Sequence, residues 1–329
     1  MPSKRSFASA LSALFLLAAC EPDTTSKFEF VAIGTVVTLT VYATPEETAS
    51  NASNELEQLL NSAGKAWYPW ADGELAEANR ALSQGVMPVL SAELETLVLE
   101  AARIEELTDG RFNAAIGELV QAWGFDDVST PPTQVPDPRR INAILERSPS
   151  LAGFSEGRAE PIIIDLGGIA KGALLNASAR RLIAQDINNA IINLGGDLLV
   201  LGDADGRPVR IGIRSPFSDE ALGGLSVKPG EAVISSGNYE RFFDIDGQRY
   251  HHILDPATGY PVPHTAAVTV VHTDPILADA AATALLVGGA EHFDTLVEKL
   301  DLEYALLIPS SGDVVLTTGL RERLNWGME

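Results

Sequence analysis

The stretch Ile162-Ile163-Ile164-Asp165-Leu166-Gly167-Gly168-Ile169-Ala170-Lys171-Gly172 decides how this chain is read. A β-branched run ends in an acid, two glycines follow, and a lysine enters the Ala/Leu-rich run Ala173–Ala177. The pattern predicts a buried strand at Ile162–Ile164, a tight turn, and a helix over Lys171–Gln185. Glycines at such a turn let main-chain N–H groups approach an anion, and the start of a helix turns its partial positive charge toward it. A phosphate or diphosphate site is the expectation. The spacing fits neither G-x-G-x-x-G nor G-x-x-x-x-G-K-[ST], because Lys171 precedes Gly172, so an ordinary dinucleotide fingerprint and a P-loop are both excluded.

Outward from this stretch the chain alternates strand and helix signals. Ala190–Leu194 runs into Gly195-Gly196-Asp197, and Leu198–Leu201, Val209–Arg214, Ala232–Ser235, Arg241–Asp246 and Ala267–His272 read as further strands. Pro275–Val287 and Ala290–Lys299 read as helices, and Tyr304–Ile308 with Val314–Thr317 as a closing hairpin. Toward the N-terminus, Phe28–Ala43 reads as a hairpin or a bent strand broken at Gly34. Glu46–Ala66, Ser91–Thr108 (with Ser91 as its cap) and the short Phe112–Trp123 read as helices. The Pro-rich Ser129–Arg139 stretch reads as a surface loop. The fold class this predicts is α+β: mixed, largely antiparallel sheets with helices packed on them.

Composition narrows the function. The 329 residues hold 45 acidic and 23 basic side chains, a net charge of −22. Lys4 and Arg5 precede an apolar run from Phe7 to Ala19 that is too short for a stable bilayer anchor, and it ends in Leu17-Ala18-Ala19-Cys20. That ending resembles the lipobox of bacterial lipoproteins, which implies cleavage before Cys20 and a lipid on it. Cys20 is the single cysteine, so no intramolecular disulfide can form. The expected plan is a signal peptide at 1–19, a lipidated Cys20 and tether at 20–27, and one catalytic domain at 28–329. No later segment reads as membrane-spanning. So acidic a surface argues against nucleic acid, and it makes an anionic ligand hard to hold without a metal cation or local basic groups.

Three segments carry candidate chemistry. In His251-His252-Ile253-Leu254-Asp255-Pro256-Ala257-Thr258-Gly259, a turn follows two histidines at a strand end; in extended backbone one of them faces a site and the other faces away. In Asp274-Pro275 through Thr283, Asp279 and Thr283 are i and i+4 on one helix face, hard oxygen groups of the kind Mg²⁺ takes. Ile116 through Phe125, with Ala122-Trp123-Gly124 near its end, offers aromatic surface to a planar ring.

Taken in order, these segments resemble the ApbE family of periplasmic FAD:protein FMN transferases. The matching stretches are Gly34-Thr35, Asp72-Gly73-Glu74-Leu75 through Asn79, Trp123-Gly124-Phe125, Asp165 through Gly172, Asn193 through Asp197, Ser235 through Tyr239, His252 through Gly259, and Ala278 through Thr283. The resemblance implies an FAD cleft between two lobes and a Mg²⁺-dependent transfer of FMN from FAD to a Ser/Thr hydroxyl of an acceptor protein, with AMP released. It implies Asp279, Thr283 and main-chain oxygen from Gly168 to Ala170 as Mg²⁺ ligands, and Asp165 and Lys171 as FAD contacts. It further implies His252 as the proton-handling group. Ile33, Leu254 and Ala122-Trp123-Gly124 would line the flavin or adenine pocket, and Tyr68 or Trp70 would stack the adenine. Acceptors would be redox or sodium-pump subunits at the periplasmic side of a membrane, inner or outer. FAD hydrolysis to FMN and AMP, or flavin binding without catalysis, stand as alternatives. Ala282 occupies a position where some members carry a second acid.

Overall fold

The computed structural model describes residues 25–127, 129–204 and 206–326. The signal expected at 1–19, Cys20 and most of the tether lie outside them.

In chain order the elements are β1 (Ser26–Ala32), β2 (Thr35–Val41), α1 (Glu46–Ala66), α2 (Glu74–Ser83), α3 (Ala92–Leu107), α4 (Gly117–Trp123), α5 (Pro138–Leu145), α6 (Ala152–Ser155) and α7 (Ala170–Ile183). There follow β3 (Ala190–Leu194), β4 (Asp197–Leu201), β5 (Val209–Arg214), β6 (Ala221–Val227), β7 (Ala232–Gly237), β8 (Phe242–Ile245), β9 (Gln248–His251) and β10 (Thr265–His272). The chain closes with α8 (Pro275–Lys299), β11 (Tyr304–Pro309), β12 (Val315–Leu316), α9 (Thr318–Arg323) and β13 (Leu324–Trp326).

Eight strands form one sheet in the order β1-β2-β3-β4-β7-β10-β11-β12, and every neighbouring pair is antiparallel. Pleating sends alternate residues to opposite faces. On β10, Val268 and Val270 join the core under α1, α7 and α8, while Ala267 and Val271 join the core under the small β13-β6-β5 sheet. With both faces covered, β10 is buried almost throughout, and each fully buried Val contributes roughly 1.5–3 kcal/mol. A third core gathers α3, Phe112, Leu151, Phe154 and the Ile162–Ile169 segment, and a fourth gathers α4, α5 and the β8–β9 hairpin. The expected α+β class is what the chain adopts.

Two differences from the sequence reading bear on the site. Ile162–Ile164 is not a strand: it makes a single parallel bridge, Ile163 to Ile116. Its polar groups are met elsewhere. The Asn79 side chain donates to the Ile164 carbonyl at 2.9 Å and accepts its N–H at 2.8 Å, and the Ala114 carbonyl accepts the Asp165 N–H. A side-chain amide thus stands in for a neighbouring strand. The Phe112–Trp123 helix is confined to Gly117–Trp123, because Ile116 enters that bridge.

By length and composition α8 could cross a membrane, but 67% of its most apolar window is buried inside the protein. It is a core helix, broken at Gly289 (φ 62°, ψ −170°), so the two helices expected from the sequence run on from each other. Asp274 caps its start by accepting the N–H groups of Ile276 and Leu277.

Helices α7 and α8 meet at Gly172, where an added Cβ would lie 2.1 Å from the Pro275 carbonyl oxygen and 2.9 Å from the Ile276 Cα. Backbone on both sides leaves no rotamer to relieve the clash. Gly172→Ala should therefore lower stability by about 1–3 kcal/mol in urea unfolding, although Ala favours a helix interior by about 1 kcal/mol. An unchanged or raised midpoint would show that the two helices do not touch there.

Candidate functional site

The α7–α8 contact builds the site. Asp279 is 3% exposed, and its Oδ2 accepts the Gly172 main-chain N–H at 2.8 Å. Gly172 is the third residue of α7, where a helix leaves the N–H without a main-chain acceptor, so the Asp279 carboxylate caps the helix start. Thr283 lies one turn after Asp279 on the same face. A Cβ on Gly168 would come 3.1 Å from Thr283 Oγ1, so the bare glycine is what lets the turn close on the hydroxyl. Of the expected group, Gly168, Asp279 and Thr283 thus come together at the end of the turn and one face of α8, and Ala170 is the first residue of α7.

Lys171 adds charge. Its ammonium pairs with Oδ2 of Asp197, which is 1% exposed, while Asp197 Oδ1 accepts the Ser235 N–H at 2.9 Å. Burial alone would lower the Lys171 pKa; Asp197 and Asp279 outweigh it and hold the ammonium above its usual range. Burial pushes the Asp279 carboxyl up to about 7, against the pull of Lys171 and with the push of Asp197. An acid so placed is one that a cation would return to its ionised form.

The donor set fits a hard cation. It consists of one carboxylate, one hydroxyl and main-chain carbonyls, all oxygen. Among the described residues no group of three or more His, Cys, Asp or Glu is gathered, which excludes a zinc cage there. Such a set suits Mg²⁺, which fills its remaining positions with water and phosphate oxygen.

The two adjacent histidines separate as alternation requires. His251 is buried; its Nε2–H donates to the Val262 carbonyl at 2.7 Å and its Nδ1 accepts the Ile253 N–H, a structural pairing. His252 is half-buried, and both its main-chain N–H and its Nδ1–H point to the Arg241 carbonyl, at 3.0 and 3.2 Å. That bond leaves Nε2 with its lone pair. Burial, with the nearby Arg241 charge second, pulls the His252 pKa down to about 3. Asp165 accepts the Gly167 N–H at 2.7 Å; burial raises its carboxyl, and Arg241 opposes the shift.

A cavity of about 570 Å³ opens between Trp70, Asp72, Asn79, Arg80, Gln121 and Asp126, with Ile163 in its wall, and its lining includes none of Asp165, Lys171, His252, Asp279 and Thr283. Trp70 lines it, whereas the Tyr68 hydroxyl donates to the Asp126 carbonyl at 3.2 Å. Trp123 and Leu254 stand behind the surface, 1% and 2% exposed. The Trp123 indole N–H donates to the Gly259 carbonyl, and Tyr250 and Tyr260 pack against its ring. Trp123 supports the wall and offers no free face to a ring. Half-buried Ala122 and the left-handed cap Gly124 flank it. Ile33 takes the β1–β2 turn at φ 49° and packs on α1 at Gly64. Ala282 is fully buried in the core.

Three residues that gained no role from the sequence belong to this arrangement: Asn79, Asp197 and Arg241. Asp197, at the exit of the Gly195-Gly196 turn, had a signal in its position. Asn79 ends the Asp72–Asn79 stretch that resembles the family, and Arg241 follows a strand among small polar residues, but neither position names its partners, which lie far away in the chain.

A model of the ApbE family matches residues 33–308. The FAD:protein FMN transferase of Rhodobacter capsulatus is 34% identical over 315 residues, which is 94% of this chain and 60% of that protein. The chain therefore spans about 60% of that relative's length. The FAD:protein FMN transferase of Vibrio cholerae is 31% identical, over 92% of this chain and 94% of its own. Among solved structures, the ApbE protein of Thermotoga maritima superposes with a TM-score of 0.82 at 27% identity, covering 91% of this chain and 99% of that one. The flavin transferase ApbE of Vibrio cholerae does so at 0.78 and 26%, covering 92% and 100%. This chain belongs to the ApbE family.

The His252 environment makes a pH prediction. Its pKa is near 6.5 when unfolded and about 3 when folded, so the unfolded state binds the proton more tightly. The stability it contributes is fully present above pH 6.5 and is lost as pH falls toward 3. His252→Gln should make the decline in unfolding free energy between pH 6.5 and 4 shallower. His251 is lowered by burial in the same direction, so some slope remains. An unchanged slope would contradict the burial of His252.

Proposed function

We propose that this chain transfers the FMN half of FAD to a Ser or Thr hydroxyl of an acceptor protein and releases AMP. The observation that carries the reading is the meeting of Asp279 and Thr283 with the Gly168 turn beside Lys171, in a chain whose relatives are named FAD:protein FMN transferases.

Asp279, Thr283 and the main chain of Gly168–Ala170 are the groups that would hold Mg²⁺, which supplies charge neutralisation at the diphosphate. Lys171 brings a positive charge to the same side. In the transfer, the acceptor oxygen forms a bond to the FMN phosphorus and the bond from that phosphorus to the AMP oxygen breaks. AMP leaves with the electron pair, and the hydroxyl proton passes to His252 Nε2. His252 is neutral at physiological pH and is held in the required tautomer by the Arg241 carbonyl. Phosphoryl transfer of this kind is governed by positioning and electrostatics, which buried, hydrogen-bonded groups provide.

The acceptor class follows from the same reading: a redox or sodium-pump subunit presenting a hydroxyl outside the cytoplasm. Lipidation of Cys20 would tether the enzyme to the periplasmic side of a membrane.

Two variants test the chemistry by AMP release and FMN incorporation. Asp279→Ala should cut Mg²⁺-dependent turnover at least about a hundredfold while the protein stays folded; surviving turnover would refute the metal assignment. His252→Gly should lower the transfer rate by about 10²–10⁴ with little change in FAD affinity. Loss of affinity with unchanged turnover of bound FAD would refute the proton-accepting role.

A further inference from the structure

We propose that Arg241 clamps the FMN phosphate of bound FAD and, through its own main chain, presents His252 to that same phosphate. The proposal rests on the transfer reading above and assigns the residue that joins substrate binding to proton transfer.

Arg241 lies just before β8, exposed, with its guanidinium turned toward the site. One Nη2–H donates to the Phe125 carbonyl at 2.5 Å, tying the β7–β8 connection to the segment after α4. Its charge acts on Asp165, on the Tyr68 hydroxyl and on His252, three groups that come from different parts of the chain. It therefore stands where those segments converge.

Among the described residues Arg241 makes no ion pair with a carboxylate. In a chain with 45 acidic side chains against 23 basic ones, that leaves a guanidinium available to an incoming anion. Arg241 bears on His252 more strongly than Lys171 does, and Lys171 is already engaged by the buried Asp197. A guanidinium keeps its charge at any working pH, and its planar fork binds two phosphate oxygens at once. Phosphate is the anion that the proposed substrate brings.

The main chain of the same residue receives both the N–H and the Nδ1–H of His252. Clamp and proton acceptor thus belong to one unit. Docking of the phosphate on the side chain sets the distance from which Nε2 meets the attacking hydroxyl. Arg241 is then a phosphate contact through its side chain and a positioning residue for His252 through its carbonyl.

The test compares FAD with riboflavin, which has the same ring and no phosphate. Affinities of both are measured by flavin fluorescence for the wild-type chain, Arg241→Gln and Arg241→Lys, together with kcat and KM for AMP release. In Arg241→Gln, FAD affinity should fall at least about tenfold, with riboflavin affinity within about twofold of wild type, and kcat should fall about a hundredfold. Arg241→Lys should lie between, with charge kept but the fork lost. Equal loss of FAD and riboflavin binding, or no loss of either, would overturn the proposal. If Arg241→Gln does not fold, Arg241→Lys decides, since an unchanged ratio of FAD to riboflavin affinity would overturn it too. Absence of AMP release by the wild-type chain would count against the transfer reading alone, and the affinity ratio would still decide the role of Arg241.

Discussion

The main chain of Gly172 in α7 lies against that of Pro275 in α8, with room for a hydrogen and none for a methyl group. That contact sets the depth and angle at which α7 crosses the start of α8. It brings the Gly172 N–H to Asp279. It also carries Gly168 up to Thr283 and aims Lys171 at Asp197. Each of these placements would shift by ångströms if the helices moved apart, and phosphoryl transfer tolerates little of that.

The local charge balance runs against stability. Two buried carboxylates, Asp197 and Asp279, share one ammonium, and burial holds Asp279 near the neutral point. A pairing of this kind adds little to folding, because desolvation offsets the Coulomb attraction. The large apolar cores on both sides of the eight-stranded sheet hold the fold together, so the site can carry this unfavourable charge. On the transfer reading, a divalent cation and a diphosphate complete the balance. The acidity of the whole chain then works as a filter, since an anionic ligand is retained only where a cation, Lys171 or Arg241 receives it.

What was legible in the sequence was local. Amphipathic spacing located α1 and α3, and alternation located β3, β5 and β10, because each of those elements buries one face or both in a core. The i, i+4 relation of Asp279 and Thr283 and the opposite facing of His251 and His252 are consequences of backbone geometry alone. Ile162–Ile164 reads as a strand yet forms none, because its partner is a side chain: Asn79, 85 residues earlier, satisfies Ile164 in place of a strand. Helix α2, which carries Asn79, is not among the helices read from the sequence, although Leu75, Ala78 and Leu82 bury one face of it. Trp123 is legible in sequence as an aromatic residue near a pocket, whereas the bond from its indole N–H to the Gly259 carbonyl, 136 residues away, is not. Arg241 stands out in sequence only as an arginine after a strand, because its role comes from Phe125, Asp165 and His252, which only the fold assembles.

The central claim is that this arrangement joins FMN to a protein hydroxyl. Intact-mass spectrometry of an acceptor fragment bearing a Ser or Thr, incubated with this chain, FAD and Mg²⁺, tests it most directly. The account predicts a mass gain of one FMN on that hydroxyl, matched by AMP in solution and absent when a chelator is added. FMN and AMP free in solution beside an unmodified acceptor already known to be flavinylated by a relative would contradict it.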